Sequence, residues 1–164
     1  MSISSAPVIT LRPASDDELP FLSAVYADSR AEELQVVPWS AEQKADFLRM
    51  QFEAQHKYYH MQYPDADYDL VLRDGTPIGR LYVDRAPNEI RVMDIALLAD
   101  YRGHGIGTSL IRAIMDEASA AGVPVSLHVE TFNRARRLYD RLGFIEQDTN
   151  GIYALMEWTP ETKP

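Results

Sequence analysis

The sequence predicts a mixed α/β (α+β) fold of seven strands and four helices, ordered strand, helix, helix, three strands, helix, strand, helix, two strands. Three observations carry this reading. Residues 101 to 107 read Tyr-Arg-Gly-His-Gly-Ile-Gly and stand between an apolar run, Met93 to Leu98, and a helically periodic segment, Ile106 to Ala118. A strand therefore feeds a glycine turn that opens a helix. Asp74-Gly75 separates two strand-like runs, the signal of a tight hairpin. Ser15-Asp-Asp-Glu18 has the spacing of a capping box, and Ser40 supplies a second cap.

Taken in order, Val8 to Arg12 alternates as a short strand that Pro13 ends. The box at Ser15 opens a helix reaching about Asp28. After Ser40, the residues Phe47, Leu48, Met50, Gln51, Phe52 and Ala54 belong to a longer helix to about Met61. Asp69 to Arg73 and Pro77 to Asp84 form the hairpin, and Asn88 to Leu98 completes a three-stranded meander. In the glycine-opened helix Ile106, Leu110, Ala113, Ile114 and Ala118 share one face, with Arg112, Asp116 and Glu117 on the other. A strand over 125–130, a helix over 134–142 and strands over 144–148 and 152–158 follow. The whole, 1–164, is expected to be one domain with its core over 8–158 and a frayed tail over 159–164.

A chain of 164 residues, 46% of them hydrophobic, is enough for one substantial core. Its net charge of −9 argues against a life on nucleic acid, where phosphates call for clustered Lys and Arg, and suits a cationic or amine partner. There is no cysteine, which removes a cysteine nucleophile, disulfides and thiolate metal sites. The amino terminus lacks a basic n-region and an apolar core, and no apolar stretch reaches spanning length, so a cytoplasmic protein without membrane contact is expected.

Glycine at 103, 105 and 107 keeps Cβ atoms away from the turn, and helix N-termini attract phosphate through unpaired N–H groups and the helix dipole. Arg102 adds a forked cation. The pattern is not the Gly-x-Gly-x-x-Gly of dinucleotide folds, and only 57 residues follow Gly107, too few for further βαβ units. Arg102-x-x-Gly105-x-Gly107 resembles instead the acyl-CoA pyrophosphate loop of the GNAT superfamily of N-acetyltransferases. Asp94-Ile-Ala-Leu97 looks like that family's central strand. His128-Val-Glu-Thr-Phe-Asn133, followed by Arg137-Leu-Tyr139 and Leu142-Gly-Phe144, is similar to its second half. The resemblance covers roughly residues 67 to 158.

The resemblance implies a mostly antiparallel seven-stranded central sheet flanked by four helices, and amine attack on the thioester of acetyl-CoA in a ternary complex. Arg102, Gly103, His104, Gly105, Ile106, Gly107 and Thr108 would hold the diphosphate. Main-chain groups of Ile95, Ala96, Leu97 and Leu98 would line the pantetheine, and Asn133 would touch the cofactor arm, while also suiting a helix cap. Tyr139, protonated at neutral pH, would be the general acid, or else a packed core tyrosine. His128 stands where related enzymes carry a basic glutamate, with Asp94 and Glu130 as competitors for the base.

In the family the first two helices wall the acceptor side. Trp39, Tyr59 and Tyr63 are therefore candidates to line the acceptor pocket, with Glu130, while Phe47 and Phe52 are expected in the core. Asp65, Asp67 and Asp69 with Glu32 and Glu33 would draw in a cation or form a solvated surface. His56 and His60 have metal-compatible spacing but no third ligand in sight, so no metal is expected. The partner is an amine of unknown identity, and a homodimer is common in the family. Two rival functions stand beside the enzyme: a non-catalytic acetyl-CoA sensor and an aminoacyl-tRNA-acetylating toxin, the latter at odds with the acidic charge.

Overall fold

The protein is seen here in a computed structural model that describes residues 6–131 and 133–161. Residues 1–5, Phe132 of the second motif, and 162–164 of the expected tail lie outside the described residues. The elements are β1 (Ile9–Pro13), α1 (Leu19–Leu34), α2 (Ala41–Gln62), β2 (Asp67–Arg73), β3 (Thr76–Arg85), β4 (Ile90–Leu97), α3 (Ile106–Ala121), β5 (Val125–Glu130), α4 (Ala135–Leu142), β6 (Ile145–Asn150) and β7 (Tyr153–Trp158). The seven strands form one sheet in the order β1-β2-β3-β4-β5-β7-β6. β4 and β5 run parallel, whereas β1–β2, β5–β7 and β6–β7 are antiparallel. This is the fold class and element order predicted from the sequence. Among the described residues no helix is long and apolar enough to cross a membrane.

The local reasons are legible. Asp74 (φ 49°) and Gly75 (φ 85°) both take the left-handed conformation that a two-residue hairpin turn requires. Ser40 and Gln43 form a full capping box: Ser40 Oγ accepts from the Gln43 N–H at 3.1 Å, and Gln43 Oε1 accepts from the Ser40 N–H at 2.9 Å. Two expectations need correction. α1 does not stop near Asp28 but continues to Leu34, because Ala31, Glu32, Glu33 and Leu34 favour helix, Arg30 pairs with Glu33 at 3.1 Å, and nothing interrupts the helix before Pro38. On α3 the buried stripe is Leu110, Ile111, Ile114 and Ala118, with Ala113 exposed. Rotating the stripe toward 111 buries a branched side chain in place of a methyl group, which removes more apolar surface from water.

The chain packs as two compact units. One holds the residues up to Leu81 together with Ile95–His104, the other Tyr82–Asp94 together with the residues from Gly105 onward. In the first, Leu22, Val25, Phe52, Leu70, Val71 and Ile78 are buried. Arg80 is buried with them, its guanidinium 5.6 Å from the Tyr26 ring centre and 5.9 Å from that of Phe52, and donating to Gln55 Oε1 at 2.9 Å. In the second, Val92, Ile111, Ile114, Val125, Leu127, Ala154 and Met156 form the core.

One contact in the first unit fixes where β4 ends. A Cβ placed on Gly79 of β3 would sit 2.3 Å from the Ala96 carbonyl oxygen and 2.8 Å from Leu97 Cδ2. Only glycine lets the β4 backbone approach this closely. The Leu98 N–H then donates to the Ile78 carbonyl at 2.9 Å. Gly79→Ala is expected to lower stability by about 1–3 kcal/mol, a fall in melting temperature of several degrees measured by thermal unfolding. An unchanged melting temperature would show that β3 and β4 can separate there at no cost.

Candidate active site

Past β4 the chain makes a short 3-10 turn at Ala99–Tyr101 and enters the glycine segment, where Gly103 (φ 78°) and Gly105 (φ 82°) are left-handed. Gly105 is the capping residue of α3 and brings no side-chain acceptor to the first turn. Its carbonyl accepts the first helical bond, from the Ser109 N–H at 3.0 Å. The N–H groups of Ile106, Gly107 and Thr108 therefore face outward at the positive end of the helix dipole. A Cβ added at Gly103, Gly105 or Gly107 would meet no atom within 4 Å. A bare, donor-rich turn of this kind can hold a phosphate group.

Arg102 is placed differently from a free phosphate fork. Its Nε donates to the Leu97 carbonyl at 2.9 Å, and its Nη2 donates to Asp28 Oδ2 at 2.9 Å. The same carboxylate oxygen accepts from the Ala99 N–H at 2.8 Å. Sequence reasoning missed Asp28, because a carboxylate inside an amphipathic helix carries no local signal of a partner more than 70 residues away. His104 is exposed in the turn.

In the other unit the parallel register of β4 and β5 covers three pairs, Ile90 with Val125 to Val92 with Leu127, while β5 pairs with β7 along its whole length. Tyr139 on α4 is 5% exposed and packs against Phe144 with ring centres 5.7 Å apart. Burial pushes its hydroxyl up to about 12, and the nearby Asp94 carboxylate adds to the rise. The structure thus places Asp94 with Tyr139. His128 is exposed on β5, and alternation puts it on the face of Ser126 and Glu130. Partial desolvation and the Arg91 guanidinium lower its pKa below that of free imidazole, with Glu89 opposing. Arg91, Ser126 and Glu89 are themselves linked, by Arg91 Nε donating to Ser126 Oγ at 3.3 Å and Ser126 Oγ donating to Glu89 Oε2 at 3.1 Å.

Glu130 is buried, and its carbonyl accepts from the Asn133 N–H at 2.9 Å. Asn133 Oδ1 accepts from the Ala135 N–H at 2.9 Å, so the oxygen of the carboxamide steadies the start of α4.

The three aromatic acceptor candidates are not brought together. Trp39 precedes α2, whereas Tyr59 and Tyr63 lie at its far end, and 20 residues of helix span about 30 Å. Trp39 meets Phe47 edge-on with centres 5.1 Å apart, and with Gln43, Asp46 and Met50 the two line an open pocket of about 350 Å³. Phe47 is thus only half-buried, not the core residue expected, while Phe52 is buried. Tyr59 and Tyr63 meet at 6.5 Å. The His56 and His60 rings lie tilted with centres 4.3 Å apart, and Tyr68 stacks on His60 at 4.0 Å, which makes the pair part of an aromatic cluster. Among the described residues no group of three His, Cys, Asp or Glu could hold a metal ion.

The model of the acetyltransferase (GNAT) family matches residues 26–144. A mycothiol acetyltransferase of Nocardiopsis dassonvillei is 35% identical over 85 residues, which are 51% of this chain and 22% of that protein. The match thus spans about a fifth of that relative's length. Among solved structures, the PaiA N-acetyltransferase of Thermoplasma acidophilum in complex with coenzyme A superposes with a TM-score of 0.71 at 21% identity, covering 93% of this chain and 99% of that one. A histone acetyltransferase HPA2-related protein of Corynebacterium glutamicum gives 0.64 at 24% identity, covering 98% and 99%.

The site's electrostatics are testable without any ligand. By NMR titration the His128 imidazole is expected to titrate below the usual value of about 6.5, and Arg91→Gln to move it upward by removing a cation that opposes protonation. No upward movement in Arg91→Gln would leave desolvation as the whole cause.

Proposed function

We propose that this chain, which belongs to the acetyltransferase (GNAT) family, moves an acetyl group from acetyl-CoA to a primary amine of a small molecule or peptide by direct attack in a ternary complex. The observation that carries the reading is the bare glycine turn on α3, where three positions leave open space and the first-turn N–H groups lack a side-chain cap. These features fit a diphosphate. Bound acetyl-CoA supplies an acetyl thioester reactive toward amines.

The chain's own residues then divide the work. The N–H groups of Ile106, Gly107 and Thr108 take the diphosphate, with Gly103, His104 and Gly105 in the turn and Arg102 at its edge. Main-chain groups of Ile95 to Leu98 line the pantetheine arm, and Asn133 offers its carboxamide nitrogen to it. Tyr139 Oη would hold the proton that a departing thiolate needs. Burial and Asp94 both keep that hydroxyl un-ionised at neutral pH. The neutral imidazole of His128 accepts the amine proton, a state its lowered pKa favours at pH 7. Glu130 on the same strand face and Trp39 before α2 are assigned to the acceptor. Trp39 and Tyr59 or Tyr63 are too far apart for one small molecule to touch both, so they would wall different stretches of the acceptor side that the first two helices and their connecting loop form in the family. The net charge of −9 supports a cationic acceptor.

Two experiments check this. Acetyl-CoA-dependent thiol release, followed across amines, amino acids, aminoglycosides and N-terminal peptides, is expected to rise above hydrolysis with one acceptor class, and the cysteine-free chain adds no thiol background. With that acceptor, Tyr139→Phe should lower kcat by about a hundredfold while leaving acetyl-CoA affinity nearly unchanged. Saturable acetyl-CoA binding with no release across the panel would favour the sensing module.

Gly107→Ala separates folding from binding. Gly107 is helical and a methyl group there meets nothing, so alanine should stabilise the unliganded chain by up to about 1 kcal/mol while its Cβ fills the space assigned to the diphosphate and weakens CoA binding. Unaltered CoA affinity by calorimetry would move the ligand off this turn.

A further inference from the structure

The glycine turn cannot hold its own shape. Left-handed glycines are conformationally permissive, and a turn that must present several N–H groups to one anion needs an anchor from elsewhere in the fold. The segment from Leu98 to Arg102 meets a carboxylate of α1, that of Asp28, the tenth residue of the helix. One oxygen, Oδ2, accepts from the Ala99 main-chain N–H at 2.8 Å and from Arg102 Nη2 at 2.9 Å. Arg102 Nε reaches back to the Leu97 carbonyl at 2.9 Å. Arg102 is thereby tied to the end of β4, and Ala99 and Arg102 are tied to α1.

Placing an anion beside a diphosphate site is electrostatically adverse unless it does something in return. Here it pairs with Arg102 while fixing the guanidinium's direction through Nη2. We propose that Asp28 is a positioning residue for cofactor binding: its carboxylate holds Ala99 and Arg102 so that the turn from Gly103 onward is already shaped for a diphosphate before one arrives. This rests on the reading of that turn as the CoA diphosphate site. It also makes α1 part of the cofactor machinery, so that a change at a residue that touches neither substrate alters the affinity for one of them.

The test is calorimetric titration of CoA into the wild-type chain, Asp28→Asn and Asp28→Ala, together with steady-state kinetics and thermal unfolding of each unliganded protein. Asparagine keeps an oxygen opposite the Ala99 N–H and removes the charge, so it preserves the test should alanine fail to fold. Charge-assisted hydrogen bonds at half-exposed positions lead us to expect a loss of CoA affinity of roughly three- to tenfold in Asp28→Asn, with KM for acetyl-CoA rising by the same factor. KM for the acceptor and kcat should change less than twofold, a split that general destabilisation would not produce. CoA affinity unchanged or increased in Asp28→Asn, with wild type binding normally, overturns the assignment of Asp28 alone. Failure of the wild-type chain to bind CoA overturns both this inference and the reading of the turn.

Discussion

An α-helix has to begin with N–H groups that no helical carbonyl can satisfy, and α3 begins on a residue that has no side chain to satisfy them. The start of α2 is closed by its own sequence, through the Ser40–Gln43 box. The start of α3 is left open, on a residue held at φ 82°. Such a start is useful only if the backbone leading into it is held still, and the structure holds it from two sides. Gly79 allows β4 to lie against β3 at Ala96 and Leu97, and the Asp28 carboxylate secures Ala99 and Arg102. A methyl group at position 79 or a lost charge at position 28 would disturb the same few residues by different physics, one steric and one electrostatic.

What was legible in the sequence divides along the range of the forces involved. The hairpin at Asp74-Gly75, the cap at Ser40 and the limits of β5 were readable because each depends on neighbours a few residues away. The end of α1 was not, since helix propensity past Asp28 is continuous and no breaker stands before Pro38. The orientation of α3 was nearly readable, but choosing Ile111 over Ala113 requires knowing what the helix packs on. Of the candidate site, the glycine turn was visible as residue types at a known spacing, and Tyr139 and Asp94, both singled out from the sequence, lie near each other in the fold. Asp28 was invisible, because its partners lie 71 and 74 residues away. Gly79 did give a signal, a lone glycine inside a strand, which means a close backbone approach more often than it means flexibility.

The aromatic residues of α2 show how sequence proximity misleads in the other direction. Trp39, Tyr59 and Tyr63 look like one cluster in a line of text, yet a helix of 22 residues sets its ends about 33 Å apart. Near the middle of that helix, Phe52 is buried and meets Tyr26, while the His56 ring lies tilted against His60, on which Tyr68 stacks. Phe52 is thereby taken into packing, whereas Trp39 and Tyr58 stay exposed toward opposite ends of the helix.

The state of Tyr139 bears on how it can act. A buried phenol pushed up to about 12 is a weak acid, and an ordinary thiol has a pKa near 8.5. An un-ionised, buried hydroxyl suits the role proposed for it, that of a donor toward a sulfur on which negative charge develops, and the low-polarity surroundings that raise its pKa also strengthen such a hydrogen bond. Asp94 acts in the same direction, because a carboxylate nearby opposes formation of a tyrosinate. Burial and charge together thus keep the Tyr139 hydroxyl protonated at neutral pH, the state that the role proposed for it requires.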